Sequence, residues 1–322
     1  MCIRDRLSSI GGSGRVGGSE RFVCESCEFV DTFLKLAPDT AILLNIDNDH
    51  LDYFKTIDNL IASFHTFCSM ASKEIIAFGD DAKVLKALEG IQKPITFYGY
   101  SNENEYYPEN IQTHSGIHTS FDFMQNGRCL GTVDLYVPGR HNVLNAIAAG
   151  IAAMHTGATF EQVKAGLSAF HGAGRRFEIL GHISGITVAD DYAHHPTEIR
   201  ATLTAAKSMH FKRVIAVHQP FTYSRTKALM QDFAEVLQLA DITVLSEIMG
   251  SREKNTYHVY AKDLAEKIPG CVWFNTFEEI AEHVVSIAQA GDLIITLGCG
   301  DFNKCAKQIV AMLESKMTKP QI

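Results

Sequence analysis

The sequence predicts an α/β fold, and three observations point to it. The chain has 322 residues, which is enough for two domains that each have a sizeable core. Short apolar, β-branched runs alternate with amphipathic segments, most regularly after residue 174, and this alternation is typical of a doubly wound parallel sheet. Polar and titratable residues follow several predicted strands, at the edge where α/β sheets bind ligands.

Composition and charge restrict the class of partner. Hydrophobic residues make up 46% of the chain and charged residues 20%, as in ordinary globular proteins. The net charge of −8, without any run of Lys or Arg, argues against nucleic acid or an anionic membrane as a partner. No secretory signal is apparent, the most apolar run is too short to span a bilayer, and the cysteines are scattered. We therefore expect a cytoplasmic protein without membrane insertion, and the oligomeric state stays open.

The first half of the chain is predicted to form a mixed sheet. The Gly-rich opening is expected to be a loop, and RFVCE and TAILLNI are expected to be buried parallel strands. A helix over about 56–71, the strand EIIAFG, the helix DAKVLKALEG and the strand ITFYGY follow. Between Ile111 and Val137 the alternating pattern predicts antiparallel strands, with Asn126-Gly127 as a hairpin turn. Two helices, HNVLNAIAAGIAAMHTG and TFEQVKAGLSAF, complete this half.

The second half is predicted to be the doubly wound sheet. It begins after HGAGRRFE, which is rich in glycine and is the expected domain boundary. Five strands are predicted to alternate with five helices: GITVA, RVIAVH, ITVLSEI, CVWF and DLIITLG as strands, with helices that start near Pro196, Thr226, Tyr260, Phe277 and Asp301.

The stretch DDYAHHPTEI concentrates titratable groups where a strand gives way to a helix. Asp190 and Asp191 end the strand, Tyr192 and His194 follow, and Pro196 suits the first turn of the helix. A polar turn with a helix cap would explain one such residue but not five of them in six positions. We therefore expect a functional site here.

A second polar cluster, NIDNDHLDYF, follows the strand TAILL. Its carboxylates and His50 suit a divalent metal such as Mg²⁺ or Mn²⁺, and Glu25, at the end of RFVCE, is expected beside His50. A turn with a helix cap is the alternative, and for Asp52 it is equally acceptable.

Two helix starts carry cations and amides. In PGRHNVLNAIAA a helix N-terminus beside Arg140 favours phosphate, and Asn142 and Asn145 share a face that suits a nucleobase or a phosphate oxygen. In VHQPFTYSRTKA, Arg225 opens a helix and can bind a carboxylate through two hydrogen bonds. The alternatives are a cap for Asn142 and a solvated first turn for Arg225.

The Gly-rich stretch IGGSGRVGGSE is not a phosphate-binding P-loop. Such a loop lies between a strand and a helix and ends in Gly-Lys-Ser or Gly-Lys-Thr, whereas the sequence contains no Gly-Lys pair.

Taken in order, these stretches resemble the Mur ligase family. FVCESCEF is similar to a Glu-containing strand end of the family, NIDNDHLDYF to its N-I-x-x-D-H-L-D pattern, and DDYAHHPTEI is the most specific match. PGRHNVLNAIAA, GAGRRFE, QPFTYSRT, REKN and LGCGD occur in the family's order. The resemblance runs from about Ile10 to the C-terminus.

The resemblance implies an ATP-dependent carbon–nitrogen ligase of cell-wall precursor synthesis. ATP and Mg²⁺ would be the cofactors, UDP-N-acetylmuramate and L-alanine the substrates, and an acyl phosphate the intermediate. Glu25 and His50 would hold the metal and act in catalysis together with His194 and Arg225. Nucleotide contacts would come from Asn142, Asn145, Arg176 and Asp191, and the amino-acid end would be formed by Tyr192, His194 and Arg225.

The resemblance also implies a division of the chain. Residues 1–9 resemble nothing in the family, 10–173 correspond to a partial central ATP-binding domain, and 174–322 to a Rossmann-like C-terminal domain. The UDP-binding domain and the P-loop of the family are not found, so we expect a truncated chain that is inactive alone. Within HQPF, His218 and Phe221 are exchanged relative to the family's F-Q-P-H, which puts the role of the usual imidazole at 221 in question.

Other functions stay open at this point. A ligase that attaches a recycled peptide in place of L-alanine is a close alternative. A non-catalytic nucleotide-binding protein is a second. An NAD oxidoreductase ranks last, because no G-x-G-x-x-G follows a strand in the second half.

Overall fold

The structure, a computed structural model, consists of two compact units. It describes residues 10–18, 21–114 and 117–318, so the expected leader 1–9 lies outside the described residues. The first unit is Met1–His171 and the second is Gly172–Ile322. Each unit contains a six-stranded sheet among these residues, which confirms the α/β class.

The sheet of the first unit follows the order of the chain. Strands β1 to β4 pair in parallel, and β5 and β6 continue the sheet antiparallel. The strands are β1 Thr40–Leu43, β2 Glu74–Phe78, β3 Ile95–Tyr98, β4 Tyr106–Thr113, β5 Thr119–Gln125 and β6 Arg128–Leu135. The predicted hairpin turn is confirmed, since Asn126 and Gly127 connect β5 to β6 with φ of 48° and 79°.

Helices cover both faces of this sheet. They are a 3-10 segment Phe29–Lys35, then α1 Leu51–Phe54, α2 Ile57–Met70, α3 Ala82–Leu88, α4 Arg140–His155 and α5 Phe160–Ser168. Along β2, Ile75 and Ala77 belong to the core that includes α2 and α3, whereas Ile76 belongs to the core that includes α4. This alternation is the period of two that a strand imposes on a sheet covered on both sides.

The prediction of a buried strand at RFVCE is wrong. Residues 21–28 lie outside any strand, and Phe22 and Val23 are 89% and 94% exposed. Apolar character alone does not make a strand, because a strand needs a neighbour to supply the ladder of hydrogen bonds. The next strand, β1, pairs with β2 and ends the sheet, so the described part of the chain gives the segment no partner.

The second unit is the predicted doubly wound sheet with one addition. Its strands are β7 Glu178–Ile183, β8 Ile186–Asp191, β9 Arg213–His218, β10 Ile242–Ser246, β11 Val272–Phe274 and β12 Asp292–Leu297. They lie in the order β11-β10-β9-β12-β8-β7, all parallel except β7. The sequence reading missed β7, which pairs antiparallel with β8 through a turn at Ser184-Gly185, where φ is 51° and 78°.

The helices of the second unit start close to the predicted positions. They are α6 Pro196–Ser208, α7 Tyr223–Ala228, α8 Met230–Leu237, α9 Ala261–Ala265, α10 Phe277–Ile287 and α11 Asn303–Thr318. The helix expected near Thr226 begins earlier, at Tyr223, and is divided at Leu229, whose φ and ψ of −110° and 22° interrupt it. Within the described ranges, no helix is long and apolar enough to cross a membrane.

Candidate ligand-binding site

Three strand ends of the second unit lie in one row. Leu297, the last residue of β12, pairs with Asp191 of β8 on one side and with His218 of β9 on the other. The loops that follow these strands therefore leave the sheet side by side. Two of the predicted site residues, Tyr192 and His194, lie in the loop after β8, and a third, Asp191, ends that strand. This is the carboxyl edge at which α/β sheets bind ligands.

The side chain of Asp191 is buried and points into the second unit. Its Oδ1 accepts a hydrogen bond from the Ala193 N–H at 2.8 Å, and its Oδ2 accepts one from the Phe177 N–H at 2.8 Å. Burial raises the pKa of this carboxyl to about 6, although the two backbone donors and Arg176 act in the opposite direction. Asp191 therefore ties the segment that carries Arg176 to the end of β8.

Arg175 is a site residue that the sequence reading missed. Its Nε donates to Asp190 Oδ2 at 2.9 Å, Nη1 to the Gly300 carbonyl at 2.6 Å and Nη2 to the Gly298 carbonyl at 2.9 Å. Asp190 is 1% exposed, and its other oxygen accepts from Thr296 Oγ1 at 2.5 Å. The guanidinium thus joins the end of β8 to the loop after β12, and the pair of arginines in GAGRRFE was the available signal.

Tyr192 and His194 form an aromatic group at this edge. The Tyr192 ring lies 4.8 Å from Arg175 Cζ and 5.8 Å from Arg176 Cζ, and it meets the His194 ring edge-on at 5.5 Å. The His194 ring also meets the Phe221 ring edge-on at 5.9 Å. These contacts bring three of the predicted residues, Arg176, Tyr192 and His194, into one cluster with Phe221.

Nδ1 of His194 faces two oxygen atoms. Nδ1 lies 3.1 Å from the Tyr192 carbonyl oxygen and 3.3 Å from Glu198 Oε2. Because both oxygens accept hydrogen bonds, Nδ1 is the donor in these two contacts.

His218 lies in the interior, whereas the His194 side chain is 15% exposed. His218 is fully buried, its Nδ1 donates to the Leu297 carbonyl at 2.8 Å, and its ring stacks on Phe233 at 5.5 Å. Burial lowers its pKa to about 4, so the ring is neutral at neutral pH. The exchanged pair in HQPF therefore places the phenyl ring of Phe221, rather than an imidazole, against His194.

Arg225 lies in α7, the helix that follows the loop after β9. It is half-buried and interacts electrostatically with Cys299, which is 4% exposed in the loop after β12. Burial raises the pKa of the Cys299 thiol to about 12 although Arg225 acts to lower it, so the thiol stays protonated.

In the first unit, His50 lies among carboxylates. Its Nε2 is 3.5 Å from Glu28 Oε1 and 3.6 Å from Asp49 Oδ2, and its ring lies 4.8 Å from that of Phe29. Glu25 is exposed in the same segment, which forms no strand, three residues before Glu28. Imidazole and carboxylate donors suit Mn²⁺ or Mg²⁺, but no group of three or more His, Cys, Asp or Glu among the described residues is arranged to hold a metal ion.

Asn142 and Asn145 share one face of α4. Asn142 Nδ2 donates to the Pro138 carbonyl at 2.7 Å, and Asn145 Nδ2 donates to Asn142 Oδ1 at 3.2 Å. The N-cap of α4 is Gly139, with φ of 98°, so Asn142 is not the cap. The amides are thereby pre-oriented near the N-terminus of this helix.

Comparison with known proteins defines the class of this chain. Residues 15–153 match the Mur ligase middle domain, and residues 175–300 match the Mur ligase glutamate ligase domain. The chain belongs to the Mur ligase family, whose members are ATP-dependent amide-bond ligases.

The most similar relatives agree in their names. UDP-N-acetylmuramate–L-alanine ligase of Caldanaerobacter subterraneus subsp. tengcongensis is 40% identical over 96% of this chain, and that of Agathobacter rectalis is 44% identical over 92%. The chain spans 69% and 66% of the length of these two relatives.

Solved structures agree with this assignment of the fold. The UDP-N-acetylmuramate–alanine ligase of Thermotoga maritima superimposes with a TM-score of 0.73 at 24% identity, covering 89% of this chain and 62% of the other. A murein peptide ligase of Psychrobacter arcticus gives a TM-score of 0.61 at 28% identity, covering 88% and 59%.

Proposed function

We propose that this chain carries the central and C-terminal parts of an ATP-dependent ligase that joins L-alanine to UDP-N-acetylmuramate. The observation that supports it most is the single edge formed by β8, β12 and β9, from which Tyr192, His194 and the loop to Arg225 extend. The names of the relatives support L-alanine and UDP-N-acetylmuramate as substrates. Residues 10–173 would be the central ATP-binding part and 174–322 the ligase part.

The proposed reaction activates the carboxylate of UDP-N-acetylmuramate before the amine attacks. Transfer of the γ-phosphoryl group of ATP to that carboxylate releases ADP and gives an acyl phosphate. The neutral amine of L-alanine then attacks the acyl carbon, the carbon–oxygen bond to phosphate breaks, and inorganic phosphate leaves. Arg225 would bind the carboxylate of L-alanine as a rigid fork, and His194 Nε2 would accept the proton that the amine loses.

Each unit has its own candidate nucleotide-binding residues. In the first unit, Asn142 and Asn145 offer pre-oriented amides beside a helix N-terminus. In the second, Arg176 would supply a cation to the nucleotide, and Asp191 would keep the Arg176 segment in place through its bond to the Phe177 N–H.

Mg²⁺ would be held by Glu25 and His50. When bound, the ion supplies positive charge that stabilises the γ-phosphate during transfer. Titration with Mn²⁺ tests this assignment without any turnover, because a bound paramagnetic ion broadens the NMR signals of the His50 ring. We expect Glu25→Ala to raise the Mn²⁺ concentration needed for that broadening. If the unchanged chain and Glu25→Ala show equal broadening at the same Mn²⁺ concentration, the metal assignment is wrong. The alternative for NIDNDHLDYF, a turn with a helix cap, would then stand.

A ligation assay tests the function. The polypeptide is fused to the part of the Agathobacter rectalis relative that it does not span, and is supplied with ATP, Mg²⁺ and UDP-N-acetylmuramate. L-alanine is offered in one arm and a tripeptide in the other, and the product is identified by mass. Ligation of L-alanine alone supports the proposal. Preference for the tripeptide supports the recycling alternative, which the likeness to the murein peptide ligase favours, and no product in either arm supports a non-catalytic protein.

A further inference from the structure

The segment between β10 and α9 is hydrogen-bonded to the loop that leads into α7, the helix that contains Arg225. Met249 donates its N–H to the Pro220 carbonyl at 2.9 Å, and Thr222 donates its N–H to the Met249 carbonyl at 2.9 Å. These bonds form a short parallel bridge between Phe221 and Met249. The loop after β9 is therefore fixed by the backbone of residue 249 before α7 begins.

A carboxylate of the same segment caps the first turn of α7. Glu253 Oε2 accepts a hydrogen bond from the Ser224 N–H at 2.9 Å, and Glu253 Oε1 accepts one from Ser224 Oγ. The N-cap residue, Thr222, provides no side-chain cap. Glu253 thus supplies from a distant part of the chain the acceptor that a helix N-terminus otherwise takes from its own cap.

Close packing restricts residues 249–253 and the start of α7. A Cβ atom added at Gly250 would lie 2.4 Å from Tyr223 Cε2, so only glycine allows the ring of the first α7 residue to lie there. A Cβ atom at Gly300 would lie 2.9 Å from Met249 Sδ, so Met249 also contacts the loop after β12. Thr222 has φ of 64°, which a β-branched residue adopts only where its surroundings enforce it.

We propose that Glu253 is a positioning residue for Arg225. It fixes Ser224, the residue immediately before Arg225, by two hydrogen bonds to one carboxylate, and so sets the direction in which the guanidinium leaves α7. The inference rests on the proposed role of Arg225 in binding the carboxylate of the amino acid.

The test compares Glu253→Gln with the unchanged 322-residue chain by NMR. Glutamine keeps the size but offers one acceptor oxygen in place of two. We expect hydrogen exchange of the Ser224 amide to become about ten- to a hundredfold faster, while amides in the centre of β9 keep their protection. Glu266→Gln, an exposed glutamate of the same unit, is the matched control and should change nothing. An unchanged Ser224 amide in Glu253→Gln would overturn the proposal.

A second variant and a binding readout separate positioning from general stability. Ser224→Ala removes the hydroxyl partner, and Glu253→Gln should have a smaller additional effect in that background if the two act as a pair. L-alanine binding is followed by the shift of the Arg225 Nε–H signal. In Glu253→Gln, the L-alanine concentration at half-saturation should rise about tenfold, while the affinity for ATP stays unchanged. Equal loss of both affinities would mean a structural role only and would overturn the proposal. If Arg225→Ala itself leaves L-alanine binding intact, the proposed function fails, whatever the Ser224 amide shows.

Discussion

Arg225 is the residue through which the proposed chemistry is most directly tested. In the fused enzyme, Arg225→Ala should raise the KM for L-alanine by about ten- to a hundredfold, the usual effect of losing a hydrogen bond between charged groups. The KM for ATP should change little, and Asp191→Asn should have the reverse preference. Steady-state kinetics with each substrate varied in turn measures both effects. An unchanged KM for L-alanine in Arg225→Ala would contradict this division of roles.

Asp191 should make the stability of the second unit depend on pH. Its folded pKa, about 6, lies above the ordinary 3.8, so the folded chain keeps a proton that the unfolded chain has lost. The contribution of Asp191 to stability therefore falls as pH rises from about 4 to about 6, and the loss is complete above that range. The shift of about two pKa units corresponds to roughly 3 kcal/mol.

The side chain of Asn does not titrate, so Asp191→Asn should remove this component. Urea unfolding at pH 4, 5, 6 and 7, followed by fluorescence of Trp273, reports on the second unit because Trp273 is the one tryptophan of the chain and lies in β11. Asp232→Asn, at an exposed position of α8, controls for the loss of a charge. Parallel pH curves for the unchanged chain and Asp191→Asn would contradict the raised pKa.

Between elements, the Arg175 guanidinium contributes more to the stability of the second unit than its position in a loop indicates. It pairs with Asp190, which is 1% exposed, and it also holds the Gly298 and Gly300 carbonyls. Arg175→Ala should lower the free energy of unfolding by about 3–5 kcal/mol, because it leaves a buried carboxylate without its partner. Trp273 fluorescence during urea unfolding measures the loss.

Two further variants identify the cause of that loss. Adding Asp190→Asn to Arg175→Ala should recover part of the stability, since no buried charge then remains. Arg200→Ala, on the exposed side of α6, should change the unfolding free energy by less than about 0.5 kcal/mol. If Arg175→Ala were as mild as Arg200→Ala, the joining of β8 to the loop after β12 would not depend on this guanidinium.

For the whole molecule, the 322-residue polypeptide alone should not turn over ATP at a rate near that of family members with a P-loop. Its sequence contains no Gly-Lys pair, and the charge stabilisation that a P-loop lysine and its backbone supply is commonly worth about 10³ or more in rate. Phosphate release with ATP, L-alanine and UDP-N-acetylmuramate measures it. Rapid release that depends on L-alanine would show that another part of this chain stabilises the γ-phosphate.

Local sequence patterns were enough to predict most elements and the family. Strands such as GITVA and DLIITLG are short apolar runs whose period and length leave little choice, and Pro196 and Asn126-Gly127 set local backbone geometry without help from the rest of the chain. The same local patterns placed Asp191, Tyr192 and His194 at a strand end, and DDYAHHPTEI identified the family.

Which of these groups meet, and which way they face, depends on the packing of elements that are distant in the chain. A strand exists where a neighbour pairs with it, so the apolar RFVCE stayed outside the sheet and the weaker EILGHI joined it as β7. Burial and hydrogen bonding turned Asp191 inward, made His218 a neutral core residue, and gave Arg175 and Glu253 their partners from residues far away in the chain. Sequence spacing carries no information on such contacts, because they depend on the order in which the strands lie in the sheet.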